Sequence, residues 1–362
     1  VVIGASAGGI QALTELVSKL PADLEASLFV VVHTSPSSPG ILPQLLDKAG
    51  PLRARFAQHN EGIRPGRIYV APPDLHLLFR EGRMLVTHGP KENGFRPAVD
   101  PMFRTAARTF GPRVVGVILS GGLDDGTDGL RIVKECSGVA IAQHPEEATF
   151  SSMPASAIRN VQVDHIVRVE AMPALLEKYA SEEMPKELHM CPDDGLPDIA
   201  EEGDSALMNK AMNGAPSALT CPECGGALWE RQHGKQLRFQ CHVGHVYTGD
   251  GLVSEMDRDL EQALWSAVRV MEEAAELRRR MHRIAAESTW KSFAPPYEEQ
   301  AQQLERRAAV IRDLLERAAR GGNGAKDNGK SSHGKAKNLA EGKAASNRVR
   351  KNRTRKTPRP GE

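Results

Sequence analysis

Two patterns alternate over residues 1–180. Short runs of consecutive apolar, mostly β-branched residues recur at Val1-Val2-Ile3, Leu28 to Val32, Ile68-Tyr69-Val70, Val114 to Leu119 and Val139-Ala140-Ile141. Stretches with helical period lie between them. After Gly9, for example, Ile10, Leu13, Leu16, Val17 and Leu20 fall on one stripe. A run that is apolar without alternation fits a strand buried on both faces. Such strands separated by amphipathic helices predict an α/β domain with a parallel sheet covered on each side.

The pattern changes after residue 180. Residues 181–218 are rich in Pro, Gly, Asp and Glu with little periodicity, and read as a linker. Residues 219–248 form a small cysteine-bearing module. From 251, Leu252, Met256, Leu260, Leu264, Ala267 and Met271 recur at spacings of three and four. Pro295-Pro296 interrupts this pattern, and Leu304, Ala308, Ile311 and Leu315 mark a second helix. Residues 251–320 therefore predict a helical hairpin packed on its own domain, with self-association through these helices as the other reading. Residues 321–362 are mostly Gly, Asn, Ser, Lys and Arg, too polar to bury a core, and read as a disordered basic tail.

Composition sharpens this division. The chain is 40% hydrophobic but only 4% aromatic, so the core must rest on Val, Leu, Ile and Ala. A net charge of +1 hides an asymmetry. Residues 321–362 carry twelve Lys/Arg against three Asp/Glu, or +9, which leaves the rest near −8. The end from Arg348 to Arg359 has the charge to touch nucleic acid or anionic lipid, but no aromatics are interleaved for base stacking. A solvated tail is the preferred reading. No stretch reaches the roughly 18–20 apolar residues of a membrane span, so no membrane insertion is expected. No export signal is visible. Five cysteines, two of them in C-x-x-C, fit a reduced, cytoplasmic setting, with Cys136 and Cys191 unpaired. Val1 already lies inside a strand pattern, as expected of a trimmed N-terminus.

The candidate chemistry sits at strand ends. The first strand runs into Gly4-Ala5-Ser6-Ala7-Gly8-Gly9 and then into a helix, which puts a serine on a tight turn beside helix amides. His33 follows the strand ending at Val32. Asp124 and Asp125 follow the strand ending near Leu119, within Leu119-Ser120-Gly121-Gly122-Leu123-Asp124-Asp125-Gly126. Singly, each has a bland alternative: a phosphate-cradling turn, a strand-capping histidine, a plain turn. Together they offer a hydroxyl, an imidazole to take its proton and a carboxylate to orient the imidazole, all on the edge where open α/β sheets bind ligands. His144 and His165 suit an α/β-hydrolase order less well, because neither follows so clear a strand.

The runs G-A-S-A-G-G at 4–9, V-V-V-H at 30–33, Y-V-A-P-P-D at 69–74, R-P-A-V-D-P-M-F at 96–103 and L-S-G-G-L-D-D-G at 119–126 resemble the catalytic domain of the CheB family of protein-glutamate methylesterases. The resemblance covers about 180 residues. It implies a doubly wound, Rossmann-like parallel sheet. It also implies Ser6 as nucleophile, His33 as base and Asp125 as its partner, with no cofactor for catalysis. The implied substrate is a methylated glutamate on the cytoplasmic helices of a chemoreceptor, with glutamine deamidation as a second activity. Backbone amides near Gly122 and Ala7 are the expected oxyanion donors. The family's usual T-G-M-G-x-D-G stands here as S-G-G-L-D-D-G, so its methionine falls on Gly122. His76, Asp74, Arg96 and Asp100 belong to family-like motifs and read as loop packing, with Arg96 a possible contact for an acidic substrate. A phosphate- or nucleotide-binding signalling module, or a scaffold without turnover, is the alternative function.

Cys221-Pro222-Glu223-Cys224-Gly225-Gly226, then Cys241 and His245, gives C-x₂-C…C-x₃-H. Those four ligands suit one tetrahedral structural Zn²⁺. His242 is the less favourable fourth ligand. A shell closed by four protein groups predicts no catalytic role.

Overall fold

The structure is a computed structural model that describes residues 1–182, 191, 214–233, 236–287 and 296–324. Most of the expected linker, and the tail beyond 324, lie outside the described residues. The chain divides into two compact units, Val1–Ala263 and the residues from Leu264 onward.

In the first unit, strands β1 (Val2–Ala5), β2 (Ser27–Val32) and β3 (Arg53–Phe56) are followed by β4 (Glu61–Gly62), β5 (Arg67–Val70), β6 (His76–Arg80), β7 (Arg83–Thr87), β8 (Val115–Ile118), β9 (Val139–Gln143) and β10 (His165–Val167). Seven of them form one parallel sheet in the order β10-β9-β8-β1-β2-β5-β3. The remaining three make a small antiparallel sheet, β4-β7-β6. All five strands read from the sequence are present in the parallel sheet. The others lack an apolar run. The β3 sequence is Arg-Ala-Arg-Phe at the sheet edge, and β10 has three residues.

Helices α1 (Gly9–Ser18), α2 (Leu42–Ala49), α3 (Val99–Phe110), α4 (Thr127–Glu135), α5 (Ser152–Asn160) and α6 (Met172–Ser181) cover the sheet. Alternate residues of one strand serve opposite faces. Leu28, Val30 and Val32 join a core with Leu13, Leu16 and Val17 of α1, Leu46 of α2 and Leu176 of α6. Phe29 and Val31 join a second core with Phe103 of α3 and Leu130 of α4. The doubly wound α/β fold expected from the sequence is the fold observed.

Strands β11 (Ala215–Thr220), β12 (Ala227–His233), β13 (Gln236–Cys241) and β14 (Val246–Thr248) form an antiparallel module in the same unit. Its core is small: Cys221, Leu228, Phe239, Cys241 and Tyr247, with Leu252 beyond. Helix α7 runs over Gly249–Ala286 and α8 over Tyr297–Gly324, four residues into the stretch read as tail. In the second unit Val268, Ala275, Ala301, Ala308 and Leu315 are buried. Arg279–Glu305 and Arg312–Glu272 ion pairs tie α7 to α8 as a hairpin. The stripe expected to be buried is partly exposed, at Met256 and Leu260.

Cys136 and Cys191, expected to be unpaired, instead form a disulfide, with Cα atoms 4.7 Å apart. Fifty-five residues separate them, so their proximity is set by tertiary folding and not by spacing. Three cysteines, Cys221, Cys224 and Cys241, are free.

Leu16 is fully buried between α1 and the sheet. Leu16→Ala should lower the unfolding free energy by about 2–5 kcal/mol, read from urea denaturation.

Candidate active site and cysteine cluster

Strand β1 lies between β2 and β8, so the loops leaving these three carboxyl ends are neighbours. Ser6 leaves β1 with its N–H donating to the Ser120 carbonyl at 3.0 Å. Gly8 caps α1 at φ 72°, and a Cβ there would meet Thr149 and the Ser120 hydroxyl at 2.7 and 2.8 Å. Only glycine permits both the left-handed turn and the close approach. His33 leaves β2 and extends the β1–β2 pairing by one bond, its N–H donating to the Ala5 carbonyl at 3.2 Å. Asp125 stands in the loop from β8 to α4, between Leu123 at φ 62° and Gly126 at φ 90°.

The three side chains meet. His33 Nδ1 lies 3.2 Å from Ser6 Oγ, and His33 Nε2 lies 2.7 Å from Asp125 Oδ2. With Nε2 protonated toward the carboxylate, Nδ1 is left as an acceptor for the serine proton. The two ring nitrogens thus exchange the roles they have in the chymotrypsin-type arrangement. Phe95 stacks on the imidazole, with ring centroids 3.7 Å apart and 8° between planes, which fixes the ring's orientation.

Asp125 is 1% exposed, and burial raises its pKa. The hydrogen bond and charge of His33 and the N–H groups of Val99 and Asp100 outweigh that cost and hold the carboxyl at about 2. Those two amides, 2.7 and 3.2 Å away, open helix α3, so the carboxylate sits at a helix N-terminus. Asn93 Nδ2 donates to the same carboxylate at 3.1 Å. Asp100, beside it, is pushed well above the carboxylate range by burial and by repulsion from Asp125 and Asp128.

The triad borders a cleft of about 580 Å³ lined by Ser6, Ala7, His33, Lys91, Phe95 and Arg96, among others. Ala7 therefore faces the cleft, whereas Gly122 does not line it. Arg96 is held by Asp74, Nε to Oδ1 at 2.9 Å and Nη2 to Oδ1 at 2.8 Å. His76 is buried and bonded to the Pro90 carbonyl and the Ala98 N–H, a packing role. Sequence reasoning did not single out Phe95, Asn93, Thr248 or Arg238. Phe95 and Asn93 lie only one and three residues before Arg96, so proximity to a motif was the available signal. For Thr248 and Arg238 the sequence held none.

Cys221, Cys224, Cys241 and His245 bring their ligand atoms within 4.8 Å of one another. Zinc–ligand bonds of about 2.3 Å in a tetrahedron place donors about 3.8 Å apart. The Cys224 and Cys241 sulfurs are 3.7 Å apart, and His245 Nδ1 lies 3.6 and 3.4 Å from the sulfurs of Cys221 and Cys241. Three soft donors and an imidazole at these spacings fit a closed Zn²⁺ shell. His242 is not in the cluster.

A parallel-sheet domain with a hydroxyl, imidazole and carboxylate in series at its carboxyl edge is equipped for nucleophilic acyl transfer. Residues 1–176 match the CheB methylesterase family. A putative protein-glutamate methylesterase/protein-glutamine glutaminase of Leptospira interrogans is 35% identical over 176 residues, 48% of this chain and 91% of that protein. A Pyrococcus horikoshii protein-glutamate methylesterase/protein-glutamine glutaminase is 36% identical over 182 residues, 49% of this chain and 50% of its own length. The crystal structure of the Thermotoga maritima CheB methylesterase catalytic domain is 32% identical, with a TM-score of 0.47 over 49% of this chain and 96% of that one. The chain belongs to the CheB methylesterase family, as its motifs led us to expect.

Asp124, the neighbour of Asp125, accepts from Thr248 Oγ1 at 3.0 Å. Burial pushes its pKa up to about 6, the Thr248 hydrogen bond offsetting part of the shift. The folded state therefore binds this proton more tightly than the unfolded state. That contribution to stability is full below the ordinary carboxylate value and lost as pH rises through about 6. Asp124→Asn keeps an oxygen for Thr248 and removes the charge. It should raise thermal stability near pH 8 by on the order of 2–3 kcal/mol and leave it unchanged near pH 3. Equal gains at both pH values in melting curves would contradict this.

Proposed function

We propose that this chain hydrolyses γ-methyl esters of glutamate side chains on methylated receptor-type proteins, releasing methanol, through Ser6, His33 and Asp125. The reading rests above all on the continuous path Ser6 Oγ–His33–Asp125, at 3.2 and 2.7 Å, opening on a cleft. Family membership and the names of the Leptospira and Pyrococcus relatives support the substrate class.

His33 Nδ1 takes the Ser6 proton as Oγ attacks the ester carbonyl. Asp125 holds the ring and balances the imidazolium. The Ala7 N–H has no acceptor among the described residues and is the nearest oxyanion donor in the Ser6 turn. The Gly122 N–H is similarly free, but away from the cleft lining. Each such donor is worth on the order of 3 kcal/mol. His33 then gives its proton to departing methanol. Water, activated by the same nitrogen, hydrolyses the acyl-enzyme and restores the glutamate. The site would take a glutamine amide by the same route, more slowly because an amide is the poorer electrophile.

The substrate helices lie in the cytoplasm, and so would the enzyme. No helix among the described residues is long and apolar enough to cross a membrane. A phosphate-binding role for the Gly-rich turn has less support, since an imidazole stands over Ser6. Cys221, Cys224, Cys241 and His245 would hold one Zn²⁺, whose contribution is to crosslink a module with a small core.

Methanol release from membranes carrying methylated receptors tests the reading. Ser6→Ala should lose about 10⁴–10⁶ in rate. A variant that keeps normal release would remove Ser6 from the mechanism. Separately, Cys221→Ser combined with Cys241→Ser should abolish the stoichiometric zinc measured in purified protein; zinc-free wild type would refute the metal assignment.

A further inference from the structure

The four-stranded module is built onto the back of the catalytic carboxylate. Asn93 is buried, and its side-chain amide has an accepting and a donating end. The Thr248 N–H donates to Asn93 Oδ1 at 2.9 Å. That contact forces Nδ2 the other way, onto Asp125 Oδ1 at 3.1 Å and Asp100 Oδ2 at 3.2 Å. The backbones are joined as well. Asn93 N–H donates to the Val246 carbonyl at 2.8 Å, and Val246 N–H to the Lys91 carbonyl at 3.3 Å. Lys91 Nζ pairs with Glu223 at 2.7 Å, inside the Cys221–Cys224 turn.

Residues 91–95 are thus gripped by the module on one side. On the other they deliver Asn93 to Asp125 and Phe95 to His33. The module also supplies a cation. Arg238, 5% exposed, pairs with Asp128 and lies 4.0 Å from Asp100, within a buried group of four carboxylates that includes Asp124 and Asp125. Arg238 is on β13, which ends at Cys241. Val246 and Thr248 are on β14, which begins one residue after His245. The strands that touch the catalytic domain are the strands that carry or adjoin the cluster.

We propose that this module is a positioning element of the esterase site, acting through Asn93, so that the state of the Cys221–Cys224–Cys241–His245 cluster sets the reactivity of Ser6. The inference rests on the Ser-His-Asp reading above, but not on the identity of the substrate. A module with so small a core depends on its crosslink. When the cluster opens, Thr248 and Arg238 lose their seats, the Asn93 amide is free to turn, and Asp125 loses one of its four donors. Asn93 touches neither substrate nor Ser6; it is a positioning residue.

The test uses the whole chain and reads the rate at which a fluorophosphonate labels Ser6, alongside metal content and kcat and KM for methanol release. Stripping the metal with a chelator should slow labelling about 10- to 100-fold, the range for misplacing a catalytic group, and added Zn²⁺ should restore it. Asn93→Ala, still metal-loaded, should be slowed comparably, lose kcat with KM within about twofold, and slow little further on stripping. Arg238→Met keeps every metal ligand and the triad; it should be slow with full metal content, and Arg238→Lys should recover most of the rate. The proposal is overturned if stripped wild type, with its thiols shown to be open, labels at the loaded rate. It is also overturned if folded Arg238→Met labels normally, or if stripping slows Asn93→Ala by the full factor. Loaded wild type that labels at Ser6 with these dependences but releases no methanol would remove the substrate reading and leave this inference standing. Loaded wild type that does not label would remove both.

Discussion

The Asp125 carboxylate is a full charge placed where water does not reach. Burial of that kind is costly unless each lone pair finds a donor. Four donors converge on it: the His33 ring, the Val99 and Asp100 amides at the start of α3, and the Asn93 side chain. They come from three separate segments. Satisfying one carboxylate therefore fixes the β2 end, the α3 N-terminus and the 91–95 loop relative to one another. The imidazole inherits its orientation from that knot, and Ser6 its partner.

The sheet makes the convergence possible. With β1 between β2 and β8, the serine, histidine and aspartate loops leave the same edge side by side. Apolar residues alternate between two cores, so sliding any central strand by one residue would exchange its buried sets. The catalytic geometry is thus protected by the packing of Val, Leu and Ile side chains that take no part in the chemistry.

Much of this was legible in order of occurrence. Apolar runs located five strands, and a Gly-rich turn, a strand-end histidine and a strand-end aspartate located the candidate triad. The edge strand Arg53–Phe56 was missed because charged residues interrupt it, and the hairpin His76–Thr87 because its two three-residue apolar runs, Leu77-Leu78-Phe79 and Met84-Leu85-Val86, are flanked by charged and polar residues and have no helical segment between them. The helical stripe at Met256 and Leu260 had the right period, yet period alone does not say which apolar face finds a partner. The Cys136–Cys191 pair, and the Thr248–Asn93 contact across 155 residues, leave no periodic trace at all.

Local sequence specifies the kinds of groups present and the shapes that carry them: strands by their apolar runs, turns by their glycines, a metal-type cluster by its C-x₂-C and C-x₃-H spacings. Those are properties of neighbours along the chain. Folding in three dimensions settled that Phe95 stacks on the ring, and that the strands carrying Arg238 and Thr248 stand behind the carboxylate. Such choices depend on which buried donors are left for which acceptors once the sheet has closed, and that balance is settled in space.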